Sequence, residues 1–198
     1  MEAAGMRCDF VGHPVVTDPQ APPEAVQAFR DEMGQGPLAL LLPGSRRSEV
    51  SRLLPVFGEV AKGLHAARPD LRMIVPAAAP VADVVKAAVR DWAGASVVID
   101  PAEDADGARK RAAFGAADVA IAASGTVSLE LAAAGTPMVI AYDMSWLSRQ
   151  IIGRMLRIDT VTLVNLVSET RAVPEFIGAR CRPELIVPAA LEVLDQPE

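Results

Sequence analysis

The sequence is poor in the residues that build metal sites and disulfide scaffolds, with two cysteines and two histidines among 198 residues. Cys8 and Cys181 are far apart, and no cluster of cysteine and histidine has the spacing of metal ligands. We therefore expect neither a zinc site nor a disulfide framework, and a reducing, cytoplasmic setting fits best. His65 lies on a predicted helix and is expected to face solvent.

Long apolar runs and a basic excess are also missing. No stretch approaches the roughly 18 uninterrupted apolar residues of a membrane span, and the first residues have no secretion signal. Acidic residues outnumber basic ones by 25 to 19, for a net charge of -6. Nucleic acid is therefore not an expected partner, and any bound anion must be held by local groups.

The chain is 51% hydrophobic, which is enough for one full core. Short apolar runs alternate with longer helical stretches, a pattern typical of parallel strands joined by crossover helices. We predict an α/β fold with a doubly wound, mostly parallel sheet and helices on both faces. The predicted strands are residues 38–42, 72–75, 96–99, 119–122 and 138–141, and the helices between them are residues 48–67, 80–92, 108–116 and 126–134.

The remaining chain is less regular. Pro55 is expected to kink the first of these helices or to begin a new turn there. After the fifth strand we predict a helix over residues 145–156, an irregular stretch through Asn165, a short helix near residues 173–177 and a final helix over residues 183–194. The predicted division is an interdomain strand and proline-rich connector (1–23), a nucleotide-sugar-binding domain (24–182) and a C-terminal helix (183–198).

The first predicted strand runs into a glycine turn that opens a helix. Gly44, Ser45 and Arg46 stand at this turn, where doubly wound sheets bind ligands. Backbone N–H groups and the helix dipole favour a phosphate there, and a guanidinium can add a bidentate contact. The alternative is an ordinary strand-to-helix turn with two solvated arginines, Arg46 and Arg47.

The fourth predicted strand ends in a similar turn, formed by Ser124, Gly125 and Thr126. Glu130 lies one helical turn after Thr126, so its carboxylate can share the face of this loop and accept hydrogen bonds from a ribose diol. Alternatively, Thr126 is only a helix N-cap and Glu130 an exposed acid of the first turn.

Two such loops at one sheet edge favour a nucleotide ligand. Neither a GxGxxG motif nor a P-loop lysine occurs, which argues against a nicotinamide cofactor or a P-loop NTPase. No cofactor or metal is expected.

Several motifs resemble the carboxyl-terminal domain of lipid-A-disaccharide synthase. The matching stretches are FVGHP (10–14), LLPGSRRSEV (41–50), ASGTVSLELAAAGTPMV (123–139), LVNLV (163–167) and VPEFI (173–177). The resemblance implies one Rossmann-like half of a GT-B glycosyltransferase. It further implies a UDP-2,3-diacylglucosamine donor, an acylated glucosamine phosphate acceptor (lipid X), a β-1,6-linked lipid A disaccharide as product and the release of UDP.

The resemblance also assigns site residues. Gly44, Ser45 and Arg46 would lie at the donor diphosphate, with Arg46 as the residue that stabilises the leaving group. The nucleotide pocket would be lined by Ser124, Gly125 and Thr126, the ribose bound by Glu130, and Asn165 matches a polar position of the family.

The sequence departs from the family in two respects. Asp143 follows Tyr142 where relatives have a basic residue, and the length suffices for about one of the two domains of a GT-B enzyme. An N-terminal acceptor domain carrying the general base is therefore expected to be missing, and this chain alone is expected to be inactive. His13, near the connector, is more consistent with a structural role than a catalytic one.

Three alternatives stay open on the sequence: a MurG-like transferase, a UDP-sugar 2-epimerase, and a nucleotide-sugar-binding module without chemistry. A homodimer is also open. Residues 145–156 place apolar side chains on one arc and basic ones on the other, which predicts peripheral contact with anionic lipid on the inner face of the inner membrane. Packing of the apolar arc on the sheet or on the missing domain is the competing interpretation.

Overall fold

The computed structural model describes residues 15, 18–94, 96–143 and 160–196. Its strands are β1 (Leu38–Leu42), β2 (Arg72–Pro76), β3 (Ser96–Ile99), β4 (Val119–Ala122), β5 (Met138–Tyr142) and β6 (Glu175–Ile177). Its α-helices are α1 (Pro23–Met33), α2 (Arg47–Ala67), α3 (Ala82–Val89), α4 (Ala108–Ala116), α5 (Val127–Ala133), α6 (Leu163–Ser168) and α7 (Pro183–Asp195). Short 3₁₀ turns occupy Ala79–Val81 and Gly178–Arg180.

The strands form one parallel sheet in the order β3-β2-β1-β4-β5-β6. All five residues of β1 are buried, because helices cover both faces of the sheet. Leu38, Leu40 and Leu42 pack into a core with Phe29 of α1 and Phe114 of α4, while the alternate strand residues belong to the opposite core. The predicted doubly wound α/β fold is confirmed.

The opposite core is built on α2 and α7. Helix α2 buries residues spaced three and four apart along one face, as a helix on a sheet must. Pro55 lies inside α2 on its exposed side, and the helix continues from Arg47 to Ala67 without a new start. A Cβ added to Gly63 would meet Val187 of α7 at 2.8 Å, so the glycine permits close contact between the two helices.

Two predictions about local structure were wrong, and one helix was not predicted. Residues 173–177 were predicted as a short helix, but they contain strand β6. This strand extends the sheet by pairing with β5, and its Phe176 is buried. The stretch predicted to be irregular contains helix α6. Helix α1 was not predicted; it begins after Pro22 and buries Phe29 against α4.

In β6 and α1, tertiary pairing decides a conformation that the short local sequence leaves open. Residues 145–156 and His13 lie outside the described residues, so the helix predicted at 145–156 stays a prediction. Among the helices that the structure describes, none combines the length and the apolar character needed to cross a bilayer.

Candidate functional site

A cavity of about 470 Å³ opens at the carboxyl ends of β1 and β4. These strands are neighbours in the sheet. From β1 the chain adds β2 and then β3 in one direction, and it then crosses back to add β4 on the other side of β1. Such a reversal of strand order separates the loops above it and leaves a crevice. The lining residues are Leu42, Gly44, Ser45, Arg46, Glu49, Pro76, Ala77, Ala78, Lys110, Ala123, Ser124, Gly125, Thr126, Val127, Glu130, Val161 and Leu163.

The first loop, residues 43–46, folds around a carboxylate. Glu49, in the first turn of α2, accepts the backbone N–H groups of Ser45 and Arg46, each at 3.4 Å. Gly44 has a φ of 108°, and a Cβ at this position would lie 2.9 Å from the Glu49 carboxylate. The loop therefore needs glycine twice over, for its positive φ and for the close approach of Glu49.

Arg46 is the predicted phosphate ligand, and its side chain is 78% exposed. One guanidinium nitrogen lies 3.2 Å from Glu49, so the guanidinium is already held beside the loop. A guanidinium has five N–H donors. Because only one nitrogen contacts Glu49, donors are left over for an anion in the cavity.

The second loop, residues 123–126, is held by two side-chain hydrogen bonds. The buried hydroxyl of Ser128 donates to the Gly125 carbonyl at 2.9 Å, and the Ser124 hydroxyl donates to the Val161 carbonyl at 3.4 Å. Thr126 is exposed and stands at the N-cap of α5, but its side chain makes no capping hydrogen bond. The Thr126 hydroxyl is therefore not engaged in capping the helix.

Glu130 lines the cavity one turn into α5 and pairs with a lysine that was not predicted. Lys110 of α4 places its ammonium nitrogen 2.5 Å from one Glu130 carboxylate oxygen. Both side chains are about one-third exposed. No spacing rule links two residues 20 positions apart on different helices, although the run of Arg109, Lys110 and Arg111 in an acidic chain was a signal that could have been noticed.

Asn165 does not line this cavity. Its buried amide group accepts the Val173 N–H at 3.0 Å and donates to the Val173 carbonyl at 2.9 Å, so it joins α6 to the segment that enters β6. The other predicted site residues are brought together around the cavity.

His65 is not solvent-facing as expected. Its side chain is half-buried, and its Nδ1 atom is enclosed near Gly94 without a hydrogen-bond partner among the described residues. Within the described ranges, no three His, Cys, Asp or Glu side chains are grouped as metal ligands.

Comparison with known proteins gives one family across the chain. The family model described as lipid-A-disaccharide synthetase matches residues 2–198. The lipid-A-disaccharide synthase of Ruegeria pomeroyi is 59% identical over 191 residues, covering 94% of this chain and 48% of that protein. The enzyme of the same name from Rhodospirillum centenum is 41% identical, covering 99% and 48%. The chain spans about half the length of the curated relatives it matches.

Solved structures share the fold at low sequence identity. ADP-heptose lps heptosyltransferase II of E. coli superposes with a TM-score of 0.63 at 11% identity, covering 90% of this chain and 53% of that one. A putative UDP-N-acetylglucosamine 2-epimerase from Listeria monocytogenes gives 0.58 at 16% identity, covering 91% and 41%. These likenesses agree with one Rossmann-like half of a GT-B fold. By the family match and the identities to its relatives, the chain belongs to the lipid-A-disaccharide synthetase family.

Proposed function

We propose that this chain binds the UDP-2,3-diacylglucosamine donor of a lipid-A-disaccharide synthase, with the diphosphate at residues 44–46 and the ribose at Glu130. The observation that carries the proposal is the meeting of both loops at one cavity, with Arg46 and Glu130 among its lining residues. A nucleotide needs a cationic donor for its phosphates at one part of its site and an acceptor for its ribose hydroxyls at another, and the Arg46 guanidinium and the Glu130 carboxylate offer these two groups.

The proposed reaction transfers the diacylglucosamine to a hydroxyl oxygen of lipid X. The bond between the anomeric carbon and the diphosphate oxygen breaks, and the electron pair stays on UDP. Negative charge therefore grows on the diphosphate, where fixed donors stabilise the transition state most. Arg46 supplies such donors in this proposal, because Glu49 engages only one of its guanidinium nitrogens. We assign acceptor binding and removal of the hydroxyl proton to the part of the full-length relatives that this chain does not span.

Calorimetric titration with UDP, then UDP-N-acetylglucosamine and its diacylated form, tests this proposal. Wild-type protein is expected to bind UDP at one site, and Arg46→Ala to weaken it by about 1.5–3 kcal/mol, the value of a charge-assisted hydrogen bond.

Arg47→Ala is the matched control, because Arg47 is exposed at the start of α2 and does not line the cavity. It removes the same charge and is expected to leave UDP affinity within about twofold of wild type. Equal losses in the two variants, or no loss with Arg46→Ala, would contradict the assignment of Arg46.

A further inference from the structure

Lys110 is held in place from three sides. Asp104 accepts the backbone N–H groups of Arg109 at 2.9 Å and Lys110 at 2.8 Å, which fixes the first turn of α4. The Lys110 ammonium lies 5.0 Å from the centre of the Phe114 ring, within the range of a cation–π contact. Its third contact is the Glu130 carboxylate. A lysine held at its backbone N–H and, through two contacts, at its ammonium group has little freedom to turn elsewhere.

The two carboxylate oxygens of Glu130 have different surroundings. Lys110 engages Oε2, whereas Oε1 has no hydrogen-bond partner among the described residues. Each carboxylate oxygen can accept two hydrogen bonds, and Glu130 lines the cavity. The lysine thus restricts the rotation of the carboxylate and leaves one oxygen available to a ligand hydroxyl.

A second pocket of about 390 Å³ adjoins this point. It shares Lys110 and Glu130 with the main cavity, and Gly107 and Phe114 are also among its lining residues. The Lys110–Glu130 ion pair therefore borders both pockets.

We propose that Lys110 is a positioning residue that lets the cavity distinguish a nucleotide with an intact ribose diol from a deoxynucleotide. It acts through Glu130, whose orientation toward the two ribose hydroxyls depends on the ion pair. The inference rests on the proposed function, because it takes the nucleotide as the ligand and Glu130 as its ribose contact. It adds a residue outside both loops and a specificity that the loops alone do not provide.

The test compares the affinities of UDP, 2′-deoxy-UDP, 3′-deoxy-UDP and inorganic pyrophosphate by calorimetry on the 198-residue chain. The wild-type protein is expected to bind UDP about tenfold more tightly than whichever of the two deoxynucleotides binds more weakly. This ratio corresponds to the loss of one hydrogen bond to a charged acceptor. Lys110→Met is expected to reduce that preference to about twofold or less, because the carboxylate loses its fixed orientation. Lys110→Arg, which can still pair with Glu130, is expected to restore most of it.

Arg109→Met is the matched control. Arg109 is the preceding residue of α4, lines neither pocket and hydrogen-bonds to Glu32. It removes the same charge from the same helix, so the preference for the diol should stay at the wild-type value. Thermal melting verifies that each variant is folded, and Lys110→Gln serves in place of Lys110→Met if the latter unfolds.

Two results would overturn the inference. In the first, Lys110→Met keeps the wild-type preference for UDP. In the second, it weakens pyrophosphate as much as UDP with the preference unchanged, which would make the lysine a phosphate ligand. Failure of the wild-type protein to bind UDP at all would instead contradict the proposed function, so the two failures are distinguishable.

Discussion

At the scale of single residues, the cavity contains two carboxylates with different partners. Glu49 is almost fully buried and faces the amides of the first loop, whereas Glu130 is partly exposed and faces Lys110. A carboxylate bonded to backbone amides stabilises the loop that holds it. A carboxylate with an available oxygen in a cavity can instead bind a ligand.

Glu130→Gln tests that difference. The amide keeps the shape of the side chain but accepts a hydroxyl proton less strongly, so UDP binding is expected to weaken on the order of tenfold. Pyrophosphate has no ribose, and its affinity should stay the same or rise as a negative charge leaves the cavity. Calorimetry with both ligands makes the comparison, and equal weakening of the two would show that Glu130 does not contact the ribose.

At the scale of helices and strands, the sequence predicts the regular part of the fold well. Helix α4 and strands β1, β3 and β4 have the predicted bounds. Strands β1 and β4 are buried apolar runs, β3 is a short, partly exposed apolar run that ends before Asp100, and α4 is an uninterrupted helical segment after Gly107. Strand β6 was predicted as a helix, since three residues carry no periodicity and only pairing with β5 determines their conformation.

The candidate site also has parts that the sequence predicts and parts that depend on tertiary packing. Both loops could be predicted, because Gly44 and Gly125 mark strand-to-helix turns in the sequence. Lys110 could not be placed, because its role depends on a tertiary contact between α4 and α5 that leaves no pattern in the sequence. The buried position of Asn165 also depends on packing, here of α6 against the segment before β6.

Asn165→Ala is expected to lower stability rather than nucleotide affinity. The change removes both hydrogen bonds to the part-buried backbone of Val173, a loss of about 1–3 kcal/mol. For a domain of this size, the melting temperature should fall by about 2–4 °C per kcal/mol. Ser168→Ala, on the exposed side of α6, is the control and should change stability by less than about 0.5 kcal/mol. Unchanged melting with a tenfold loss of UDP affinity would instead support the predicted ligand role of Asn165.

The contact between α1 and α4 predicts a pH dependence of stability. Arg109 hydrogen-bonds to both Glu32 oxygens, at 2.6 and 2.8 Å, and these bonds lower the pKa of the Glu32 carboxyl. A carboxyl with a lowered folded-state pKa stabilises the fold above its unfolded pKa, about 4.3, and this stability is lost as pH falls through the folded value.

Arg109→Met should therefore lower the free energy of unfolding at pH 7 by about 0.2–1 kcal/mol, as for exposed pairs. The difference from wild type should shrink as pH falls below about 4.3. Urea unfolding of both proteins at a series of pH values from about 3 to about 7 measures this difference. A difference that stays constant over this range would show that Arg109 contributes by packing over Phe29, which lies 5.3 Å away, and not through the ion pair.

At the scale of the whole molecule, the two faces of the sheet form the hydrophobic cores, and the proposed ligand site lies at the carboxyl edge of the sheet. Helices cover both faces, so the carboxyl edge between β1 and β4 is where loops can diverge around a cavity. The chain belongs to the lipid-A-disaccharide synthetase family and matches nearly half the length of its relatives. Contact with anionic lipid through residues 145–156, and a homodimer, stay predictions.

The most direct measurement of the proposed site is the change in backbone amide NMR shifts when UDP is added to the ¹⁵N-labelled protein. The largest shifts are expected in residues 44–46 and 123–126, together with Glu49, Val127 and Glu130, because these residues line the cavity. Smaller shifts are expected at Lys110. Shifts concentrated at the opposite edge of the sheet, near Gly36 and Asp118, or no saturable shifts at millimolar UDP, would contradict a nucleotide site between β1 and β4.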